Sequence, residues 1–220
     1  MSDIFKIVIV EDHPIFSMGM KELINREEDM DVCGDAEDVS GAREVISNNN
    51  PDLVIVDLSL KDSNGMDLVK EINDNQSNIA TLVLSMHDES LHAERSIMAG
   101  AKGYIMKQEA SESVVEAIRQ IMAGNIYVSQ RIMSTILNKF RSKPDLVHES
   151  PLKRLTDREL EIFQLIGQGL LSKDIADQLN ISTKTVGTYR ERIKEKLFFK
   201  HSGELVRNAV IWVETGVLKG

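Results

Sequence analysis

The sequence is poor in cysteine, tryptophan and proline: its 220 residues include one cysteine, one tryptophan and four prolines. The single cysteine, Cys33, excludes an internal disulfide and a cysteine-rich zinc site, and we expect it to be a small buried hydrophobic residue. No apolar run approaches the roughly 20 residues that span a bilayer. The first residues, MSDIFKIVIVED, carry neither a basic stretch nor a small-residue cleavage site, so we expect no secretory signal. These absences predict a cytoplasmic protein without membrane partners.

Charge is distributed unevenly along the chain. The net charge is −9 and the charged content of 28% is ordinary for a globular protein. Residues 151–220 hold twelve Lys and Arg against nine Asp and Glu, a balance of +3, whereas the first 150 residues hold 14 against 26, a balance of −12. The length allows two domains, and the asymmetry favours separate partners, with a polyanion as a candidate for the second.

The stretch PDLVIVDLSL, residues 51–60, contains a short run that is apolar on both faces and is bounded by turn residues. Such a run is typical of a central parallel strand covered by helices on both sides. Similar short apolar runs, each followed by a segment of helical periodicity, recur along the first 124 residues. We therefore predict an α/β domain with a doubly wound five-stranded parallel sheet, whose strands lie at about 5–10, 31–36, 53–56, 81–85 and 104–106.

Polar side chains follow four of these strands, at the edge where ligands bind in open α/β sheets. Glu11 and Asp12 follow the first strand, Asp57 follows the third, Ser85 ends the fourth and Lys107 follows the fifth. Clustered carboxylates suit Mg²⁺, and a lysine and a hydroxyl nearby could bind phosphoryl oxygens. The set indicates a carboxylate nucleophile that forms an acyl phosphate.

The segments VIVEDHP, LVIVDLSL, LVLS and GAKGYIMK resemble those of the receiver domain of bacterial two-component response regulators, over about the first 124 residues. The resemblance implies a flavodoxin-like receiver in which Asp57 is the phosphoacceptor. It also implies that Glu11, Asp12 and Asp57 bind Mg²⁺ together with the backbone carbonyl of Ser59. The phosphoryl group would come from a sensor histidine kinase or a phosphotransfer protein.

The same resemblance assigns three further roles. Ser85 becomes the switch hydroxyl, Tyr104 the switch aromatic residue and Lys107 the lysine that contacts the phosphoryl group. On phosphorylation Ser85 would move toward the phosphoryl group and Tyr104 would turn inward. The face that contains the fourth and fifth helices would then repack and shift an interdomain or dimer equilibrium.

The loop after Asp57 departs from the family pattern. Receivers often have proline four residues after the phosphoacceptor, whereas this chain has Lys61 followed by a polar loop to Gly65. Ser59 and His87 occupy positions that tune phosphate lifetime in such domains, although we expect His87 to be a solvated loop residue. We expect no special role for His13 or His92.

From Leu155 onward the pattern is purely helical. A helix at about 129–141 and the stretch SKPDLVHESP form a linker, residues 125–150, before a smaller all-α domain at 151–220. Thr156 and Glu159 form a T-x-x-E capping box. A short helix and a cation-rich helix to about Leu197 follow, separated by the break at Asn180–Ser182. This order is typical of a helix-turn-helix.

The segment LTDRELEIFQLIGQGLLSKDIADQLNISTKTVGTYRERIKEKL closely resembles the LuxR-type helix-turn-helix, over about 155–217. The resemblance implies that its recognition helix enters the major groove and that its last helix mediates dimer contacts. Gly187 occupies a position where many relatives have lysine, and Trp212 could be a dimer contact or a core residue. The candidate DNA contacts are Lys184, Thr185, Thr188, Arg190, Glu191, Arg192 and Lys194.

These features predict a DNA-binding response regulator rather than an enzyme. Phosphorylation would control dimerisation, DNA binding and transcription. The homodimer would bind double-stranded DNA at two half-sites about one helical turn apart. RNA polymerase is a further candidate partner. One alternative is a phosphorylation-independent transcription factor whose receiver is an interaction module. Another is an aspartyl-phosphate phosphohydrolase, but such enzymes typically place a second aspartate where this chain has Ser59.

Overall fold

The computed structural model describes residues 4–60, 63–75, 78–86, 89–141, 151–179, 181–215 and 218. The chain divides into two compact units, Met1–Ser142 and Lys143–Gly220. The predictions that concern Lys61, Asp62, His87, Asn180 and the stretch at 142–150 fall outside the described residues. Within the described residues, no helix is both long and apolar enough to span a membrane.

The first unit is built around a parallel sheet of five strands in the order β2-β1-β3-β4-β5. The fold class predicted from the alternating pattern is confirmed. The chain adds β2 on one side of β1 and then β3, β4 and β5 on the other side. This change of side leaves a crevice at the carboxyl ends of β1 and β3, which is the usual position of ligands in open α/β sheets. The strands are β1 (Phe5–Val10), β2 (Met30–Ala36), β3 (Leu53–Asp57), β4 (Ala80–Ser85) and β5 (Gly103–Met106).

Helices cover both faces of this sheet, because successive strand residues point to opposite sides. On one face, Ile7 and Ile55 pack with residues of α1 and α5; on the other, Val8 and Val54 pack with residues of α2, α3 and α4. The helices are α1 (Pro14–Asn25), α2 (Val39–Asn49), α3 (Gly65–Asn75), α4 (Glu89–Met98) and α5 (Ala110–Met122).

A sixth helix, α6 (Gln130–Arg141), belongs to the same compact unit as the sheet. The chain between α5 and α6 pairs with the edge of β5, where Tyr127 and Gly103 form a parallel bridge. Ile132 of α6 is buried in the cluster that contains residues of α4 and β5. The helix at about 129–141 that the sequence predicts is therefore packed against the sheet domain.

The described part of the second unit contains a short 3-10 helix (Pro151–Arg154) and four α-helices: α7 (Asp157–Gly167), α8 (Ser172–Gln178), α9 (Thr183–Leu197) and α10 (Ser202–Thr215). The predicted capping box at Thr156 and Glu159 is present. Helix α7 contacts the other three helices. Gly167 permits close packing on α10, because a Cβ at this position would lie 2.4 Å from the carbonyl oxygen of Ala209.

Candidate functional site

Three ionisable side chains meet in a buried pocket at the carboxyl edge of the sheet. Asp57 ends β3 and is 1% exposed, Glu11 follows β1 and is 3% exposed, and Lys107 follows β5 and is 8% exposed. The Nζ of Lys107 lies 2.8 Å from Oδ2 of Asp57 and 2.6 Å from Oε2 of Glu11. The structure therefore brings together the lysine and two of the three carboxylates that the sequence predicted at this edge.

Asp12 and His13 complete the acidic side of the pocket. One ligand atom from each of Glu11, Asp12, His13 and Asp57 lies within 4.8 Å of the others. The Nδ1 of His13 lies 2.9 Å from Oε1 of Glu11 and 2.8 Å from Oδ1 of Asp12, while its ring is mostly exposed. No role was predicted for His13 from the sequence, and only its position directly after the acidic pair could have suggested the contact.

Burial and neighbouring charges shift the pKa values of Asp57 and Lys107. Burial raises the pKa of Asp57, and Glu11 raises it further, whereas Lys107 and the Ser59 N–H lower it; the net direction is upward. Burial alone would lower the pKa of Lys107, but the Asp57 and Glu11 carboxylates outweigh it and raise that pKa. The two carboxylates therefore favour the charged form of the lysine that faces them.

Two further residues of the predicted receiver site, Ser85 and Tyr104, lie on strands β4 and β5. Ser85 ends β4, is fully buried, and its carbonyl oxygen accepts a hydrogen bond of 2.8 Å from the backbone N–H of Lys107. Tyr104 lies in β5, is 1% exposed and belongs to the buried cluster that contains residues of α4.

The loop after Asp57 is anchored at both of its described ends. The backbone N–H of Ser59 donates to Oδ1 of Asp57 at 3.2 Å. The N–H of Gly65 donates to the carbonyl of Leu58 at 3.1 Å, and a Cβ on Gly65 would lie 1.9 Å from the carbonyl oxygen of Asp57. Glycine at the start of α3 was not recognised as a site residue, because only tertiary structure reveals this close approach.

The thiol of Cys33 is half-buried, whereas the sequence predicted a buried residue. Its Sγ donates to the carbonyl of Ile7 at 3.4 Å, and burial raises the pKa of the thiol. A raised pKa reduces the fraction of reactive thiolate.

The second candidate site is helix α9. The Oγ of Ser182 accepts from the N–H of Thr185 and caps the helix, while Val186, Ile193 and Leu197 are buried beneath it. Among the seven candidate DNA contacts, Lys184, Thr188, Glu191 and Arg192 are exposed, whereas Thr185, Arg190 and Lys194 are partly buried. The exposed four therefore form the outward face of the helix.

Helix α9 forms two ion pairs, one with a buried residue of α7 and one within the helix itself. Lys196 Nζ lies 2.6 Å from Oε2 of the buried Glu159, which ties α9 to the first turn of α7. Burial would raise the pKa of Glu159, but Lys196 and the Thr156 N–H outweigh it and lower that pKa. Lys194 pairs with Glu191 at 2.8 Å on the surface of the helix.

Trp212 of α10 packs within its own unit. Its ring lies 5.6 Å from the ring of Phe163 in α7, at an interplanar angle of 40°. Its contact with Phe163 makes Trp212 part of the packing between α7 and α10.

Comparison with known proteins gives two family matches. Residues 7–119 match the response regulator receiver domain, and residues 153–209 match the bacterial regulatory proteins of the LuxR family. The oxygen regulatory protein NreC of Staphylococcus epidermidis is 35% identical over 210 residues, which cover 93% of this chain and 96% of the relative. NreC of Staphylococcus carnosus is 32% identical over 209 residues, with the same coverage.

Solved structures agree with these matches. A two-component response regulator of the LuxR family from Aurantimonas is 30% identical, with a TM-score of 0.58, and covers 64% of this chain and 100% of its own. The RcsB response regulator of Salmonella typhimurium shares the fold, with 23% identity, a TM-score of 0.63 and coverage of 94% of this chain and 98% of its own. This chain therefore belongs to the response regulators of two-component systems, with a receiver domain followed by a LuxR-type DNA-binding domain.

Proposed function

We propose that Asp57 is the phosphoacceptor of this response regulator, and that Lys107 and Ser85 bind the phosphoryl group that it receives. The observation that carries the proposal is the position of Lys107 Nζ, held between the buried carboxylates of Asp57 and Glu11. An ammonium group at this point contacts a carboxylate oxygen before the transfer and can contact a phosphoryl oxygen after it. The change of partner requires little reorganisation of the site.

The phosphoryl transfer forms one bond, from Asp57 to phosphorus, and breaks one bond, from phosphorus to nitrogen. An oxygen of Asp57 attacks the phosphorus of a phosphohistidine on a sensor histidine kinase or a phosphotransfer protein. The phosphorus–nitrogen bond breaks, its electron pair stays on the imidazole, and the imidazole takes up a proton. Asp57 is left as a mixed carboxylic–phosphoric anhydride, and the ammonium of Lys107 faces the added charge.

The acidic side of the pocket fits Mg²⁺. Two buried oxygens line this side of the pocket: Glu11 Oε2 lies 2.6 Å from the ammonium nitrogen of Lys107, and Asp12 Oδ1 lies 2.8 Å from Nδ1 of His13. Hard anionic oxygens of this kind suit a small divalent cation. Glu11, Asp12, Asp57 and the Ser59 carbonyl would hold it, and when bound it would neutralise charge on the transferred phosphoryl group.

Phosphorylation with a small-molecule donor tests the site. The full chain is incubated with acetyl phosphate and Mg²⁺, and intact mass spectrometry measures the addition of one phosphoryl group that hydroxylamine removes. We expect labelling of the wild type and of the control Asp35→Ala, an exposed carboxylate on β2, and no labelling of Asp57→Ala or without Mg²⁺. Stable labelling of Asp57→Ala would disprove the assignment of the acceptor.

Tyr104 and Ser85 would connect the site to the rest of the receiver. We assign Ser85 as the switch hydroxyl and Tyr104 as the switch aromatic residue, with the inward ring as the position that phosphorylation favours. The burial of Tyr104 beside residues of α4 supports this assignment, because movement of the ring must repack that face.

Helix α9 would be the recognition helix. Its exposed residues Lys184, Thr188, Glu191 and Arg192 would enter the major groove, while Thr185, Arg190 and Lys194 would contact the flanking backbone. The cap at Ser182 supports this placement, since the N-terminal end of a recognition helix carries the base contacts. A titration against a random-site DNA pool, with and without beryllofluoride, measures both specificity and phosphoryl dependence, and equal affinities would favour a phosphorylation-independent regulator.

The remaining assignments complete this function. The receiver would occupy residues 1–124, the linker 125–150 and the DNA-binding domain 151–220. The phosphorylated protein would act in the cytoplasm as a homodimer on two half-sites, with RNA polymerase as a candidate partner. Turnover of external substrates is disfavoured by Ser59, which stands where aspartyl-phosphate hydrolases carry a second aspartate.

A further inference from the structure

The ammonium of Lys107 has a third neighbour besides the carboxylates of Asp57 and Glu11. Its Nζ lies over the ring of Phe16, 4.9 Å from the ring centroid. An ammonium within about 6 Å of a ring centroid is attracted by the negative face of the ring. Because Lys107 is buried, water screens this cation–π contact only weakly.

The position of Phe16 follows from the start of α1. Pro14 begins the helix, and Phe16 is its third residue. The Phe16 side chain is partly buried and packs against the cluster that contains Ile9 of β1 and Ile105 of β5, the strands that precede the acidic pair and the lysine. The ring is therefore anchored in the core beside the pocket.

The ammonium needs such a neighbour because lysine is a flexible stem of four carbons. In the proposed transfer, Asp57 exchanges its contact with Lys107 for a bond to phosphorus, and Glu11 is shared with the proposed Mg²⁺ site. The Phe16 ring is neither a reactant nor a metal ligand. Among these three described neighbours, it is the one for which neither the phosphoryl group nor the metal ion competes.

We propose that Phe16 is a positioning residue for phosphoryl transfer, whose ring face holds the ammonium of Lys107 at the place where it meets the phosphoryl oxygen. The inference rests on the proposed roles of Asp57 and Lys107. It assigns to Phe16 an electrostatic role in addition to its packing in the core. An aliphatic side chain of similar size keeps the packing and loses the attraction.

Fluorinated rings separate the two roles, because fluorine weakens the negative face of the ring and hardly changes its shape. Phenylalanine with one, two or three fluorine atoms replaces Phe16 in the full chain by amber suppression. Intact mass spectrometry then measures the initial rate of labelling by acetyl phosphate with Mg²⁺. We expect the rate to fall with each added fluorine, by about tenfold for the trifluorinated ring, which lies within the range of a cation–π contact. The Mg²⁺ concentration that gives half the maximal rate should stay unchanged, since the ring is not a proposed metal ligand.

Two sets of control variants accompany this series. The same fluorinated residues at Phe5, which begins β1 at the opposite end of the strand from Glu11, should leave the labelling rate unchanged. Phe16→Tyr keeps an aromatic face and should be labelled at nearly the wild-type rate. Phe16→Leu should be labelled about tenfold more slowly, as the trifluorinated ring is.

The outcomes separate this inference from the proposed function. If the wild type is labelled on Asp57 and the fluorinated rings at position 16 do not slow labelling, the role of Phe16 is wrong and the phosphorylation site stands. A rate that drops equally with one, two and three fluorine atoms also overturns this role, because ring shape would then be responsible. If the wild type takes up no phosphoryl group on Asp57, the proposed function itself fails. The fluorinated series decides the question even if Phe16→Leu does not fold.

Discussion

Gly65 lies directly against the backbone of Asp57. A Cβ at position 65 would stand 1.9 Å from the carbonyl oxygen of Asp57 and 2.8 Å from its carbonyl carbon. Backbone atoms cannot move aside as a flexible side chain can, so any residue other than glycine must shift either α3 or the end of β3. The start of α3 thus limits where the backbone of Asp57, at the end of β3, can lie.

We therefore expect Gly65→Ala to damage both stability and phosphorylation. Forcing a methyl group into this contact should lower the free energy of unfolding of the receiver by about 1–3 kcal/mol and slow labelling by acetyl phosphate. Urea denaturation followed by circular dichroism measures the first effect. Trp212 fluorescence reports only on the DNA-binding unit, so it identifies which unit is affected.

Gly19→Ala is the matched control. Gly19 lies within α1, and nothing is within 4 Å of the position of its Cβ. Alanine should therefore stabilise the receiver by up to about 1 kcal/mol through its better helix propensity, without changing the labelling rate. If Gly65→Ala had the same effects on stability and labelling rate as Gly19→Ala, the close approach of Gly65 to Asp57 would not matter for either property.

The contrast between Asp57 and Gly65 shows what the sequence can predict. The carboxylates and Lys107 were placed correctly because each directly follows an apolar strand, and parallel strands bring their carboxyl ends to one edge. The contacts of Gly65, of Tyr127 with β5, and of Lys196 with Glu159 were not predicted. Each depends on how two elements approach in three dimensions, which no periodicity within a single element records.

The Lys196–Glu159 pair should make the DNA-binding unit sensitive to acid. The pKa of Glu159 in the folded protein is below its ordinary value of 4.5, so the unfolded state binds more protons as the pH falls. The stabilisation is fully present above pH 4.5 and is lost as the pH falls through the lower, folded value. Lys196→Met should cost about 1–2 kcal/mol at neutral pH, because the pair is a charged hydrogen bond with a partly exposed lysine.

Trp212 fluorescence during urea unfolding measures this effect, because Trp212 packs on Phe163 of α7. The difference between wild type and Lys196→Met should shrink as the pH falls below 4.5, since protonated Glu159 no longer pairs with a cation. Lys173→Met removes an exposed cation of α8 and should leave stability nearly unchanged. A difference that stayed constant with pH would mean that Lys196 acts through packing and not through its charge.

Gly187 offers space on α9 for an additional DNA contact. Nothing lies within 4 Å of the position of its Cβ, so larger side chains fit without strain. Gly187→Ala should stabilise the DNA-binding unit by about 1 kcal/mol, and Gly187→Lys should in addition tighten DNA binding. If the new lysine contacts a phosphate, the slope of log affinity against log salt should steepen by about 1, whereas alanine should leave it unchanged.

Glu191 is the one acidic residue among the candidate DNA contacts, and its side chain is 65% exposed beside Lys194. A carboxylate near phosphates is repelled, so a position of Glu191 in the groove would be favourable only if it accepted a hydrogen bond from the N4 amino group of cytosine. We expect the wild type to prefer cytosine at one position of its DNA site by about 1–3 kcal/mol.

Glu191→Gln should lose this preference, while its affinity for unrelated DNA rises because one negative charge is removed. Competition among the four bases at each position of a selected site measures both effects. Glu195→Gln removes an equivalent exposed charge one turn further from the helix start, and it should raise non-specific affinity without altering base preference. If the two variants behave alike, Glu191 serves only to pair with Lys194.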